Sequence, residues 1–500
     1  MHKLSIRTVR TASGATAVQV VRYTGHRTQI IAHMGSAHTS EELTVLRRSA
    51  ERYVSEHTTQ LSLFPQQPKT KLLHVDHTQS LGVTHHFARD VLHACARACG
   101  LSLKPIFLDL VVMRILEPSS KLRALELINR YFGIRYSTHM YHIFKQFSQH
   151  KEVIERAALS CATTALQEPL FLVLYDVTTL YFETFQTDEL RTHGFSKDDK
   201  SKQPQIVIGL LVTRSGFPLA HEVFPGKTFE GHTMLPILEE FTQKHRVEAP
   251  IVVADAAMLS QKNLRELEQR GMRYIVGARL ANTPPDLIAR VSTALDRKDK
   301  AVIRVSSKHG EVVCSFSLVR YRKDRREMER QIERAKHLVD RNEAGTRAKF
   351  VKKAGKGAVA IDEALIAKTE LLLGIKGYCT NVAEKDLPND KVIACYHDLW
   401  NVEHSFRMSK SDLEARPIFH RKEEAIRAHV LLCFVTLMMG KYLEITTNLS
   451  LRRIRDLLWD VSDTHLRDTL SGETFMFRSS TEGVMKSALG KLIKKWKIPH

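Results

Sequence analysis

The segment that decides the fold begins at residues 170–176, LFLVLYD, a short apolar run that ends in the acid Asp176. A second run of the same kind, PIVVAD, occupies residues 250–255 and ends in Asp255. Each run predicts a buried strand with a carboxylate at its C-terminal end, which is where open α/β sheets place their chemistry. The surrounding pattern predicts strands at 205–213, 218–223 and 273–278, and helices at 233–244 and 260–269. This part of the chain therefore predicts an α/β fold with a mixed sheet.

Residues 396–417, YHDLWNVEHSFRMSKSDLEARP, predict an amphipathic helix. A period of 3.6 residues gives two adjacent stripes: Tyr396, Trp400, Glu403, Arg407, Lys410 and Glu414 on one, and the apolar Leu399, Val402, Phe406 and Leu413 on the other. We expect Pro417 to end the helix, because it has no amide donor and disfavours helical geometry at Arg416. Two interpretations stay open on spacing alone: an ordinary solvated helix face, or a carboxylate and cations at the edge of an active site.

Asp176, Asp255 and Glu403 together suggest a site for a divalent cation. Oxygen ligands in such small number suit Mg²⁺, which keeps room for water and phosphate oxygens. Histidines are a weaker candidate, because none is paired with a cysteine or acid at metal-ligand spacing. We interpret them as surface or hydrogen-bonded side chains: His85, His86, His93, His139 and His142. We also expect the acids of the polar loop 186–204 to be solvated, namely Asp188, Asp198 and Asp199.

Outside the sheet, the chain divides into regions of different pattern. Residues 2–37 alternate apolar and polar, which predicts a small antiparallel sheet, and residues 39–56 predict a helix. After a polar linker at 65–71, helices are predicted at 85–99, 104–116, 119–131, 137–148 and 151–166, with Ser119 or Ser120 and Ser137 or Thr138 as N-caps. Strands at 301–306, 311–320 and 377–380 and a charged helix at 323–341 follow. Residues 422–439 predict an apolar helix, and residues 485–500, with five lysines and no acid, a disordered or helical arm.

Net charge and cysteine use limit the classes of function. The 500 residues carry 75 Lys and Arg against 55 Asp and Glu, a formal charge of +20. This excess predicts a polyanionic partner, most simply nucleic acid, although a basic protein without such a partner has the same composition. Seven dispersed cysteines, none at zinc-finger spacing, favour a reduced compartment. The sequence has no uninterrupted apolar run of membrane-spanning length, so we expect no membrane association.

Three blocks of the sequence resemble one known family. The spacing of Tyr396, Glu403 and Lys410 resembles the Tyr–(2)–Arg–(3)–Glu–(6)–Lys signature of DDE transposases from bacterial insertion sequences. Asp176 in YDVTTLYFE and Asp255 in VVADAAM resemble the first and second aspartates of that family. The phrase SDLEARPIFHRKEEAIRAHVLLCF, residues 411–434, resembles the family's continuation after the glutamate helix. The resemblance covers roughly residues 165–440.

The resemblance implies a fold and an activity. The fold would be a ribonuclease H-like mixed sheet with a β-rich insertion, following a mostly helical N-terminal region. The activity would be DNA cleavage at transposon ends and strand transfer into target DNA, with Asp176, Asp255 and Glu403 as the catalytic, metal-binding carboxylates. Two Mg²⁺ ions about 4 Å apart would share Asp176 as a bridging ligand, and Mn²⁺ is an expected substitute. Contacts to DNA phosphates are expected from Tyr396, Arg407, Lys410 and Arg416. A homodimer on DNA and a cytoplasmic, nucleoid-associated location are also expected.

The sequence departs from the family pattern at two points. Leu399 stands at the arginine of the signature, so one phosphate contact is absent or comes from Arg407 or Arg416. Some relatives stack a flipped base on a tryptophan of the insertion, but the three tryptophans of this chain, Trp400, Trp459 and Trp496, lie outside it. A hairpin intermediate on the excised DNA is therefore in doubt.

The predicted organisation has six parts. They are a sheet and helix at 1–60, a helical region that is a candidate for DNA binding at 61–168, the first part of the catalytic core at 169–280, the insertion at 281–390, the glutamate helix and its successor at 391–446, and a helical C-terminal region with a basic tail at 447–500.

Two rival functions remain. The first, a ribonuclease H-like nuclease that cuts without strand transfer, is disfavoured by the insertion and by the Tyr–Glu–Lys spacing. The second, a transposase-derived DNA-binding protein that no longer cuts, is disfavoured by the presence of all three acids.

Overall fold

The computed structural model describes residues 4–25, 27–57, 73–137, 144, 146–194, 203–245, 250–256, 260–307, 310–341, 348–354 and 358–499. Several predicted features lie outside these residues: the linker 65–71, Asp198 and Asp199, and most of the helix 137–148 with Thr138, His139 and His142. One large apolar core includes side chains from the N-terminal helices, the central sheet and the C-terminal helices.

Residues 4–56 form an antiparallel sheet covered by one helix. The alternation of apolar and polar residues places Val18 and Val20 in an apolar cluster with Ala50 of the helix. Thr39 and Glu42 form a capping box at the helix start, because each side chain accepts a hydrogen bond from the other residue's amide. The elements are β1 (Leu4–Arg10), β2 (Thr16–Thr24), β3 (Arg27–Ala37) and α1 (Ser40–Glu56), with strand order β1-β2-β3.

The next residues form one strand and a group of packed helices. The elements are β4 (Thr78–Thr84), α2 (His86–Ala98), α3 (Pro105–Leu116), α4 (Lys121–Phe132) and α5 (Lys151–Ser160), the last followed by a π-helical turn at Cys161–Ala165. Ser120 is the N-cap of α4, since its side chain accepts from the Arg123 amide. His93 Nε2 lies 2.7 Å from Oδ1 of the buried Asp109, and His85 Nδ1 lies 3.2 Å from the Val461 carbonyl oxygen. These two histidines are therefore hydrogen-bonded, as predicted.

The central sheet starts with the strand predicted from residues 170–176. Its elements are β5 (Leu172–Tyr181), β6 (Gln205–Val212), β7 (Pro218–Pro225), α6 (Met234–His245), β8 (Ile251–Ala254), α7 (Gln261–Gln269) and β9 (Arg273–Ala278). β6 pairs antiparallel with both β5 and β7, whereas β8 runs parallel to both β5 and β9. All eight residues of β6 are buried, as expected for a strand covered on both faces. The strand order β7-β6-β5-β8-β9 is ribonuclease H-like and confirms the predicted fold class.

The interval between β9 and the glutamate helix extends this sheet. It contains α8 (Pro285–Leu295), β10 (Val302–Ser307), β11 (Gly310–Phe316), α9 (Leu318–Asp340), β12 (Val351–Ala354), β13 (Ala358–Ile361), α10 (Glu363–Leu372) and β14 (Ile375–Thr380). β14, β11 and β10 continue the sheet beyond β9, and β12 and β13 pair with each other. The predicted strand 311–320 ends at Phe316, because Ser317 accepts from the Arg320 amide and caps α9.

The predicted helix 396–417 is divided into three parts, so the prediction of one helix ending at Pro417 is wrong. The parts are α11 (Asn389–His397), α12 (Trp400–Arg407) and a π-helical turn at Met408–Asp412. At the break between α11 and α12, the Leu399 amide donates a hydrogen bond to the Tyr396 carbonyl, three residues earlier and not four as in an α-helix. The end follows from Arg114, whose Nη1 donates to the carbonyls of Leu413 and Glu414 and satisfies the last turn before Pro417.

α13 (Glu423–Thr447) is a long apolar helix in the centre of the molecule. Among the described helices it is the one whose length and composition suit a membrane span, and 89% of its most apolar window is buried inside the protein. Burial against other helices and β7 accounts for its apolar character.

The C-terminal region joins the N-terminal half of the chain. It contains two strands as well as helices: α14 (Leu451–Trp459), β15 (Asp463–Asp468), β16 (Thr474–Arg478), α15 (Glu482–Lys486) and α16 (Ala488–Lys495). β15 pairs antiparallel with both β4 and β16. The predicted arm is helical but does not project from the molecule, because Leu489, Leu492 and Ile493 of α16 are buried in the main core.

Candidate active site

Asp176 and Asp255 occupy corresponding positions on two parallel strands. In the pairing of β5 with β8, Tyr175 lies opposite Ala254, and the two aspartates are the next residues along each chain. Asp255 follows the end of β8 and is exposed. The prediction of a strand end is wrong for Asp176, because pairing with β6 continues β5 as far as Tyr181. Asp176 therefore lies where β8 stops, in the middle of a longer strand.

Tyr396 of α11 is bound directly to the second of these acids. Its hydroxyl donates to Asp255 Oδ1 over 3.1 Å, and its ring is buried. Gly277 of β9 provides the space, since a Cβ atom there would lie 2.5 Å from the Tyr396 hydroxyl oxygen. Burial and the charge of Asp255 raise the pKa of Tyr396, so the hydroxyl keeps its proton at neutral pH. Tyr396 can therefore hold one oxygen of Asp255 in place.

Glu403 is exposed on α12, whose opposite side is anchored to the turn between β6 and β7. Asn401 Nδ2 donates to the Arg214 carbonyl over 2.9 Å, and Ser405 Oγ donates to the Gly216 carbonyl over 2.8 Å. Arg214 Nε in turn donates to Asp398 Oδ2 over 2.5 Å, just before α12 begins. These contacts hold α12 against the sheet, and the charge of Glu403 adds to that of Asp255 in raising the pKa of Tyr396. Glu403 and Asp255 thus act on the same side chain.

Lys376 of β14 is a further charged residue beside Tyr396, and the sequence patterns did not predict it as a site residue. Its Nζ lies 4.6 Å from the ring centre of Tyr396 and 5.6 Å from that of Tyr378. Burial and the nearby Arg320 lower the pKa of Lys376, while Asp255 and Glu403 oppose that shift. The only local signal in the sequence is the alternation that places Lys376 and Tyr378 on one face of a strand.

The predicted DNA contacts lie in different surroundings. Arg407 is exposed on α12, and Leu399, which replaces the arginine of the signature, is buried. Lys410 is partly buried and lines a small cleft between α12, α13 and the central sheet, together with Thr178 and Phe406. The Arg416 guanidinium lies 5.7 Å from the ring centre of Tyr181 at the end of β5. Tyr396 contacts a candidate catalytic acid, while Lys410 and Arg416 lie near β5 on the C-terminal side of Asp176.

Comparison with known proteins places this region in a family. Residues 172–439, more than half of the chain, match the family model described as Transposase DDE domain. The chain belongs to this family. The matched region contains all three acids and Lys376, together with Tyr396, Arg407, Lys410 and Arg416. No curated protein matches the chain.

One similar solved structure is described as a cryo-EM structure of piggyBac transposase synaptic complex with hairpin DNA. The sequences are 10% identical, and the match covers 75% of this chain and 70% of that chain, with a TM-score of 0.38.

The family implies divalent metal ions, and the chemistry of the acids partly fits them. Asp176, Asp255 and Glu403 offer carboxylate oxygens, which are the ligands that hard divalent cations prefer. In the part of the chain that the structure describes, however, no three His, Cys, Asp or Glu side chains form a group able to hold a metal ion. Asp255 is instead held by Tyr396, and Lys376 lies beside both. The three carboxylates are therefore of the right chemical type for divalent cations, but in the described part of the chain they are not close enough together to bind one ion jointly.

Proposed function

We propose that this transposase cleaves DNA at transposon ends and transfers the cut strands into target DNA, as the bacterial insertion-sequence branch with the Tyr–Arg–Glu–Lys signature does. The observation that carries the proposal is the pairing of β5 with β8, which brings Asp176 and Asp255 to corresponding positions on neighbouring strands, where Asp255 is bonded to Tyr396. Glu403 of α12 supplies the third acid, and Tyr396, Glu403 and Lys410 keep the spacing of that branch along the sequence. The proposal assigns Asp176, Asp255 and Glu403 the role of holding divalent cations, with Mg²⁺ as the natural ion.

The residues of the site have separate tasks in this reaction. Asp176, Asp255 and Glu403 would hold the divalent cations, which would supply Lewis-acid stabilisation of the phosphoryl group and of the attacking and leaving oxygens. Tyr396 fixes one oxygen of Asp255 and keeps its own proton, so it orients the carboxylate without competing as a base. The anchors of α12 at Asn401 and Ser405 keep the helix that carries Glu403 against the sheet. Lys410 and Arg416 lie near β5 on the C-terminal side of Asp176, and we assign them contacts to phosphates of the DNA strand that is cut.

DNA is the proposed partner, and a homodimer on DNA is the proposed assembly. The formal charge of +20 favours binding to a polyanion. Exposed basic side chains of α9 and α16, which are separate from the three candidate acids, are available for such binding. Transposition joins two transposon ends to one target, and a symmetric dimer supplies one active site for each end. We also propose a cytoplasmic, nucleoid-associated location, a proposal that the seven free, buried cysteines support.

A direct test uses the purified chain with duplexes taken from the DNA that flanks its coding sequence. Cleavage and strand transfer are measured with Mg²⁺, with Mn²⁺ and with EDTA, and we expect products with either metal and none with EDTA. Cleavage without strand transfer would indicate a nuclease. Binding of the ends without cleavage would indicate a DNA-binding protein derived from a transposase.

The first prediction concerns the three acids. Asp176→Asn, Asp255→Asn and Glu403→Gln should each lower the cleavage rate by at least about 100-fold, because each removes a charge that binding of a cation requires. Binding of the end duplex, measured by fluorescence anisotropy, should change little. The matched control is Glu424→Gln, which neutralises an exposed acid at the start of α13. A variant that cleaves at the wild-type rate would remove its residue from the proposed site.

A further inference from the structure

We propose that Lys376, assisted by Arg320, forms a binding site for a DNA phosphate next to the bond that is cut. The inference rests on the proposed function and adds a cationic site from the interval before the glutamate helix. Neither residue belongs to the signature by which the sequence resembles its family. The occupant is a phosphodiester of the DNA strand whose cleavage the three acids would support.

The position of Lys376 is fixed by aromatic side chains. Its Nζ lies 4.6 Å from the ring centre of Tyr396 and 5.6 Å from that of Tyr378, and the two ring centres are 4.9 Å apart. Tyr378 is fully buried and Tyr396 is bonded to Asp255, so neither ring is free to move away. The ammonium group is therefore held beside the proposed site.

Lys376 is a half-buried cation on which the opposite charges of Asp255 and Glu403 act without a direct ion pair among the described residues. Within the described ranges, it forms no salt bridge, although the charges of Asp255 and Glu403 reach it. Arg320 adds a second positive charge nearby. Asp255 and Glu403 offset part of this positive charge. A phosphate is a natural partner for the ammonium group, since it accepts hydrogen bonds from it.

The backbone explains why Arg320 lies beside Lys376. The Ser317 amide donates to the Gly374 carbonyl over 3.0 Å, which joins the start of α9 to the start of β14. Gly374 has a φ of +78°, and a Cβ atom there would lie 2.7 Å from the Phe316 ring and 2.8 Å from Tyr321 Cβ. This close approach requires glycine, and it brings the first turn of α9 next to the strand that carries Lys376.

The rival interpretation is that Lys376 only supports the Tyr396 ring through a cation–π contact. The two roles differ in what they imply for DNA. If Lys376 binds a phosphate, making that one phosphate neutral removes the contact, and the Lys376→Ala variant no longer responds to the change. If Lys376 only supports the Tyr396 ring, the Lys376→Ala variant loses the same fraction of its cleavage rate as the wild type at every neutral phosphate.

The test measures single-turnover cleavage by wild type, Lys376→Ala and Lys376→Arg on end duplexes that each carry one neutral methylphosphonate near the cut. Lys376→Ala should slow cleavage of unmodified DNA by roughly ten- to hundredfold, and Lys376→Arg should restore part of it. At one phosphate, the neutral methylphosphonate should slow cleavage by the wild type by about the same factor as the Lys376→Ala substitution does. At that phosphate it should not slow cleavage by Lys376→Ala any further. The matched control is Lys244→Ala, which removes one exposed lysine of α6.

The outcomes separate this inference from the proposed function. Equal losses for wild type and Lys376→Ala at every phosphate would overturn the phosphate site and leave a supporting role. Wild-type rates in Lys376→Ala would also overturn it. Failure of the wild type to cut any flanking duplex would overturn the proposed function itself. If Lys376→Ala unfolds, as judged by circular dichroism, the same comparison with Lys376→Gln decides.

Discussion

Among single residues, Gly277 has a specific effect on the candidate site, because Tyr396 lies against it. A Cβ atom at Gly277 would be 2.5 Å from the hydroxyl oxygen of Tyr396 and 3.1 Å from its Cζ. The hydroxyl can reach Asp255 only if this side of β9 has no side chain. The residue that positions the acid thus depends on a strand that contributes no functional group of its own.

We predict that Gly277→Ala lowers the free energy of unfolding by about 1–3 kcal/mol, because the new methyl group collides with Tyr396. In a Tyr396→Phe background the same substitution should cost less than in the wild type, since the colliding oxygen is absent and the nearest ring carbon lies 3.1 Å away. Urea denaturation of the four proteins measures both costs. Equal costs in the two backgrounds would show that the strain at Gly277 does not involve the Tyr396 hydroxyl.

Among the helices and strands, α16 shows how a basic segment combines two roles. Its lysines at 491, 494 and 495 are exposed, while Ile493 is fully buried in the main core. A chain shortened before α16 would therefore lose core packing together with its basic charges. For this reason, substitution of single residues separates the two roles better than truncation.

We predict that Ile493→Ala lowers the free energy of unfolding by about 2–4 kcal/mol, because it leaves a cavity in the core. The adjacent Lys494→Ala removes an exposed side chain and should change stability by less than about 0.5 kcal/mol. Lys494→Ala should instead reduce the salt dependence of end binding by about one counterion. A stability loss of similar size in both variants would contradict the docking of α16.

On the scale of the whole molecule, charge and topology bear on how two ends are held. Asp176 and Asp255 belong to the central sheet and Glu403 to the helix held against it, whereas the exposed lysines of α16 belong to a C-terminal region that pairs with β4 through β15. If α16 binds DNA, the two subunits of a dimer can act in trans: α16 of one subunit binds the transposon end that the active site of the other subunit cuts. This arrangement is part of the proposed assembly.

A mixing experiment tests whether one subunit binds the transposon end that the other subunit cuts. Glu403→Gln is combined with a chain that carries Lys491→Glu, Lys494→Glu and Lys495→Glu, which reverses exposed charges and leaves the buried side of α16 unchanged. Each parent alone should be inactive. The mixture should regain about a quarter of wild-type cleavage, since half of random dimers are mixed and each has one productive end. Absence of recovery, with paired-end complexes still visible on a gel, would mean that each subunit cuts the end it holds.

The sequence by itself determined the order of the central elements and the residues most worth testing. Apolar runs such as LFLVLYD and the alternation around β6 and β7 are local signals, because burial on both faces of a strand requires consecutive apolar residues. The acids Asp176 and Asp255 follow directly from those runs. Glu403 and Lys410 follow from helical spacing, and the resemblance to a family rests on the same short patterns.

Only the tertiary structure decided how distant segments meet around these residues. Lys376 comes to lie over Tyr396 because β14 pairs with β9, and this pairing joins strands that are about a hundred residues apart. Asp398, at the break between α11 and α12, accepts a hydrogen bond from Arg214 of the distant turn between β6 and β7, and Arg114 binds the carbonyls that follow the π-helical turn. None of these contacts leaves a periodic trace in the sequence, because each depends on the close approach of residues that are far apart along the chain.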